Sequence, residues 1–212
     1  MTDGSTKSRE GWLEIASAIV LSISALMTSW ASYQASLWDG EQAAHYTLAN
    51  ARHMAAARLS TRAGQLQAVD IFMFSEWANA YVAGNTVLQA YYQARFRPEF
   101  AAAFKSWRAA DPLRNPDAPP SPFADPKYQS AAERQSVELE RQAVQLFKDG
   151  QSANSVSDHY VQAAVILASA MFFGGIGQVF QRPKVRLTLV AIAAVACIVA
   201  TALILRLPAQ SL

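Results

Sequence analysis

Glu41 and His45 stand four residues apart, so on a helix they are neighbours one turn from each other and could share a divalent metal or form an ion pair. Two ligands make a weak metal site, and the next imidazole, His53, lies about 80° further round a helix that turns 100° per residue. The ion pair is therefore the expectation, and no metal site is assigned. Glu14 is an acid inside an apolar run, which by default raises a functional question. It lies only two residues beyond Trp12, however, and its stem can carry the carboxylate back to polar headgroups. Gly174-Gly175-Ile176-Gly177 also lies in an apolar run, where glycines read as close helix packing and not as a phosphate loop. HExxH, GxSxG and paired-cysteine motifs are absent, and the single Cys197 excludes an internal disulfide. These observations favour a non-enzymatic protein with no catalytic residue and no cofactor.

The elements that would position such residues follow from composition. The chain of 212 residues is 52% hydrophobic and 16% charged, where an ordinary soluble domain is about 25% charged. Of its 18 basic and 16 acidic residues, 12 and 13 respectively fall between Asp39 and Asp158. A charged middle is thus flanked by two apolar ends, and the net charge of +2 is too small to suggest nucleic acid as a partner. Residues 12–31, 160–180 and 187–205 each supply roughly the 20 mostly apolar residues that cross a bilayer as a helix. The basic Lys7 and Arg9 ahead of the first run also fit a secretory signal. An uncleaved span is favoured because no helix breaker intervenes before Trp38 and because Trp30, Tyr33 and Trp38 resemble an interfacial belt.

The short segment 181–186 carries Arg182, Lys184 and Arg186 and no acid, which places it in the cytoplasm by the positive-inside bias. Residues 1–11 are then cytoplasmic, while 32–159 and 206–212 lie outside. The expected fold is an all-α membrane protein with three transmembrane helices, a helical-bundle extracytoplasmic domain and long helices continuing out of the membrane.

No proline occurs from Gly40 to Phe96, and helix-favouring residues are frequent there. Met73, Trp77, Tyr81, Gly84, Leu88, Tyr91 and Tyr92 recur at helical spacing and predict one apolar face. Pro98 marks the start of a shorter helix over 99–109. Six of the nine prolines fall between Pro112 and Pro126, so 111–127 is expected to be a tip loop; a proline-rich ligand for a partner groove is the sharper reading.

From Tyr128 onward a heptad series runs through Ala132, Ser136, Leu139, Ala143, Leu146, Gly150, Ala153, Ser157, Tyr160, Ala164, Leu167, Met171, Gly174 and Gln178. One helix would then enter the second span without a break, unless Gly150 interrupts it at about 1 kcal/mol relative to alanine. A second series, Ala18, Ser22, Ala25, Ser29, Ser32 and Ser36, continues through Asp39, Ala43, Tyr46, Asn50, His53 and Ala57. Small residues let helices approach closely in lipid. This seam fits packing within one chain, a homo-oligomer with the first helix near its axis, or a hydroxyl-lined pore.

If the spans are so placed, their outer ends bring together Tyr33, Gln34, Trp38, Asp39 and Glu41 from the first, Asp158, His159 and Tyr160 from the second, and Arg206 from the third. One basic group among several acids predicts an ion-paired collar at the membrane interface, which would anchor the helices or hold a ligand, lipid or ion. Residues 32–42 (Ser-Tyr-Gln-Ala-Ser-Leu-Trp-Asp-Gly-Glu-Gln) and 153–160 (Ala-Asn-Ser-Val-Ser-Asp-His-Tyr), with Phe172-Phe173-Gly174, resemble a group of uncharacterised bacterial three-span membrane proteins. The resemblance implies an inner-membrane location and one amino-terminal span, a helical outer segment and a carboxyl-terminal pair of spans. It implies no activity.

The expectation is a non-enzymatic oligomeric inner-membrane protein that acts as scaffold, sensor or accessory subunit through its outer domain, with the lipid bilayer, further copies of itself and an unknown protein as partners. A pore or transport component lined by the first helix is the alternative.

Overall fold

The computed structural model describes residues 3–112, 114–125, 128 and 130–211, with only the backbone described for 3–10. Leu113, Pro126 and Lys127 of the expected tip loop, and the outermost residues of both expected terminal segments, lie outside the described residues. The described chain is all-helical: α1 (Asp3–Val82), α2 (Thr86–Gln93), α3 (Pro98–Ala109), a 3₁₀ turn (Pro122–Ala124), α4 (Ala131–Gly177) and α5 (Pro183–Ile204). α1, α4 and α5 are long and apolar enough to cross a membrane, with segments whose mean hydropathy reaches 1.6, 1.6 and 2.7.

α1 is 80 residues long, about four times what a bilayer needs. It stops at Val82 because Gly84 takes a left-handed backbone (φ 69°), where glycine lacks the β-carbon that strains other residues. Asn85 then caps α2, its side chain accepting from the Leu88 amide. This corrects the single face expected from Met73 to Tyr92. Trp77 is buried, whereas Leu88 and Tyr91 lie exposed on a separate helix. α3 begins at Pro98 as expected, with proline in its first turn.

α4 is continuous through Gly150. A β-carbon at position 150 would come within 2.5 Å of Cε1 of Tyr46, whose ring stacks on Phe147 at 5.2 Å between centroids. Glycine therefore keeps α1 and α4 in contact there. α4 ends at Gly177, three residues before the expected limit, and α5 begins at Pro183. The expected cytoplasmic loop thus shortens, because Pro183 starts a helix that takes up Lys184 and Arg186.

The chain divides into two compact units. The first joins the chain up to Thr47 with the stretch from Leu146 onward, and the second comprises Leu48–Gln145. In the first, α1, α4 and α5 pack around Ala31, Ala35, Tyr160, Ala163, Leu167, Ala170, Cys197, Ala200 and Ile204. Gly174 continues this packing, since a β-carbon there would sit 3.2 Å from Leu21 Cδ2. In the second, Trp77, Phe96, Phe100, Phe104 and Trp107 form an aromatic core. The proline-rich segment closes it: Trp107 donates its indole N–H to the Pro119 carbonyl at 2.8 Å, and Phe123 stacks on Phe100 at 5.1 Å.

Candidate functional site

The site is built where α1, α4 and the segment after α5 meet within the first unit. Gln34 is fully buried. Its amide donates to the Gln210 carbonyl at 3.0 Å and accepts from the Gln210 N–H at 2.9 Å. Trp38, one turn further along α1, donates to the Pro208 carbonyl at 3.1 Å. Tyr160 of α4, 1% exposed, donates its hydroxyl to the same carbonyl at 3.3 Å. One carbonyl oxygen has two lone pairs and serves both donors. The arrangement is a clasp of three side chains on the backbone of residues 208–210.

Of the collar residues read from the sequence, Gln34, Trp38 and Tyr160 are brought together. Among the described residues, the expected pairing of Arg206 with the collar's acids does not form. Arg206 is exposed and takes part in no ion pair among the described residues; the tail it introduces is held by neutral donors and acceptors instead. Asp158 accepts from Asn154 on its own helix at 2.9 Å, and the His159 ring meets the Ser155 carbonyl. Glu41 pairs with His45 at 3.1 Å, the ion pair their spacing predicts. Asp39 is exposed, and Tyr33 lies against Trp30 with ring centroids 6.2 Å apart.

The seam residues Ala18, Ser22, Ala25, Ser29, Ser32 and Ser36 are all exposed, with Ser32 and Ser36 at an open groove beside α4. The face that α1 buries is the adjacent one, with Ser17, Ser24, Ala31, Gln34 and Ala35. The Ser29 hydroxyl donates to the Ala25 carbonyl, one turn back on its own helix. Between Ser32, Ala35, Ser36 and Asp39 of α1 and Val161, Ala164, Val165 and Ala168 of α4 lies an open groove of about 430 Å³.

At the other end of the first unit Glu14 approaches Arg186 at 3.5 Å. Nearby, Ser17 donates to the Gly174 carbonyl at 3.1 Å and accepts from the Gln178 amide at 3.1 Å. Glu14 thus has a cationic partner on α5 rather than only a polar boundary to reach.

A group that the sequence reading missed lies in the second unit. Asp70, 1% exposed, accepts from Arg97 through Nε at 3.0 Å and Nη2 at 2.8 Å and from the Tyr128 hydroxyl at 2.8 Å. Burial and the bond to Asp70 raise the Tyr128 hydroxyl above its ordinary range, while the bond to Asp70 also holds Arg97 protonated. The signal was an acid within Ala68-Val69-Asp70-Ile71-Phe72, because a buried carboxylate demands a partner. Also in this unit, His53 meets Glu140 at 2.8 Å, and Ser136 donates to the Ala56 carbonyl at 3.1 Å.

No protein-family model matches this chain, and no curated protein or solved structure is significantly similar to it.

Proposed function

We propose that this is a non-enzymatic, oligomeric membrane protein in which α1 packs against α1 of a second copy and the second unit serves as an extracytoplasmic scaffold or accessory surface. The observation that carries the reading is the outward face of α1 from Ala18 to Ser36. Six small residues at heptad spacing are exposed there, in a segment whose length and hydropathy suit a bilayer. Small residues on a lipid-facing helix permit the close backbone approach on which association in lipid depends. The bacterial inner-membrane location, the orientation set by Arg182, Lys184 and Arg186, and the kinship with three-span bacterial proteins suggested by residues 32–42 and 153–160 belong to the same proposal.

Disulfide trapping in membranes tests it. In a Cys197→Ala background, Ser22→Cys and Ser29→Cys are expected to form covalent dimers on oxidation, while Ser24→Cys, on the buried face, remains monomeric. Failure of both outward positions to cross-link would end the oligomer reading. The pore alternative has less support, because the Ser29 hydroxyl is taken up by its own helix. A reconstituted ion flux abolished by Ser29→Leu would reinstate it. Orientation is read in whole cells, with Pro119→Cys expected to react with an impermeant maleimide and Pro183→Cys to be protected.

A further inference from the structure

Beyond Ile204 the chain has left its helix, so its backbone must find partners elsewhere or remain unpaired, which is costly away from water. A turn at 205–207 is closed by bonds from Leu205 N–H to the Thr201 carbonyl, Arg206 N–H to the Leu203 carbonyl and Leu207 N–H to the Ile204 carbonyl. Leu207 then packs on the core of the first unit. After it, the anchors of the tail among the described residues come from the other two helices: Gln34 and Trp38 of α1, and Tyr160 of α4. Pro208 has no N–H to satisfy, and its carbonyl takes two donors. Gln210 is held through both of its backbone polar groups, much as a neighbouring β-strand would hold it.

A fully buried glutamine is rarely placed without a reason, because an unmatched amide in such a position is destabilising. Here it is matched to the backbone of a segment that lies outside any helix. Four neutral hydrogen bonds make the attachment specific in register but few in number. Such an attachment opens locally at far lower cost than a whole helix unfolds.

We propose that residues 208–210 form a releasable strap, a conformational device in which Gln34 is the latch that seats α5 against α1 and α4. When the strap is closed, α5 keeps its inner face in the core of the first unit. When Gln34 lets go of Gln210, α5 lifts away and uncovers that face. Since every anchor is uncharged, release responds to a competing backbone or polar group at the clasp. Cys197, the chain's single thiol, is 7% exposed on the buried face of α5 and reports release directly.

The test is the rate at which a membrane-permeant maleimide modifies Cys197 in the full chain in detergent micelles. Gln34→Ala and, independently, Gln210→Pro, which removes the backbone N–H without touching α1, are each expected to raise the rate roughly tenfold. The double variant is expected to go no faster than the quicker single one, because both break one reciprocal pair. Tyr160→Phe, which leaves Trp38 on the Pro208 carbonyl, is expected to raise the rate about threefold. A wild-type rate in Gln210→Pro overturns the proposal, whatever Gln34→Ala does. So does acceleration that appears only together with loss of helical circular dichroism, since the chain would then be unfolding instead of releasing one strap.

Discussion

The hydrophobic cores of the two units differ in what fills most of them. The hydrophobic core of the first unit is centred on alanines, with Ala31, Ala163, Ala170 and Ala200 wholly enclosed, and Gly150, Gly174 and Gly177 lie within reach of facing side chains. The second is centred on rings: Phe74, only partly buried, meets Phe100, Phe104, Trp107 and Phe123 edge to face at 5.4 to 6.4 Å. Alanine buries little area, so the first unit depends on backbones coming close over long helices, as suits apolar surroundings that give little reward for hiding apolar surface. Aromatic rings bury the most area per residue, and their quadrupoles favour these perpendicular contacts. The helices that lie wholly within the second unit are short, at 8 and 12 residues, and large side chains hold them in its core.

Opposite substitutions should therefore damage the two units. Phe100→Ala is expected to have the largest effect, about 3–5 kcal/mol, read from the denaturant midpoint by near-ultraviolet circular dichroism of the clustered rings. A loss below about 1 kcal/mol would show that the aromatic core is not what holds the second unit. Ala163→Leu is the mirror experiment: it should cost about 1–3 kcal/mol by overfilling, lowering the melting temperature in detergent, and a neutral result would erase the contrast.

Gly150→Ala refines the contrast at one site. The helix gains about 1 kcal/mol from alanine, but the new methyl meets the Tyr46 ring, so a small net loss is expected. In a Tyr46→Ala background the same change should stabilise the protein. Thermal melts of the four proteins of this cycle give the sign.

Tyr128 supplies a modest effect near neutrality and the only one with a pH signature. Its hydroxyl is raised in the folded state by burial first and by the bond to Asp70 second. Its contribution is therefore complete below about pH 10, the ordinary tyrosine value, and declines as pH rises above that towards the folded value. Tyr128→Phe should cost about 1 kcal/mol at pH 8. Its further loss between pH 8 and pH 11 should be smaller than that of the wild type, and equal alkaline losses would deny that this hydroxyl titrates in place.

The same contrast explains what could be read from residues alone. The three apolar helices, the start at Pro98 and the passage of α4 through Gly150 were legible because long hydropathic runs and proline positions are local signals. The buried face of α1 was not. Ser17, Ser24 and Ala31 repeat every seven residues just as Ser22, Ser29 and Ser36 do, so two small stripes lie side by side and periodicity cannot choose between them. The break at Gly84 was written in Gly84-Asn85, a helix stop followed by a cap, but an aromatic periodicity that survives the turn concealed it. Gln34, Trp38 and Tyr160 were named as neighbours, yet their shared partner is backbone, which no side-chain pattern advertises. Arg206 misled for a related reason: a charge among opposite charges suggests pairing, while the turn at 205–207 carries it into the open.

The proline-rich segment of the second unit is pinned at both ends of its exposed stretch, by the Asn115 side chain on the Ala110 carbonyl at 3.3 Å and by Trp107 on the Pro119 carbonyl. Residues 114–117 between these points are open to solvent. Extra sequence added after Asp117 would bulge outward with both flanks still fastened, since lengthening a surface loop is entropically cheap. This makes the position a natural place for an epitope or a fluorescent reporter, fused inside the chain and leaving both termini and the clasp untouched.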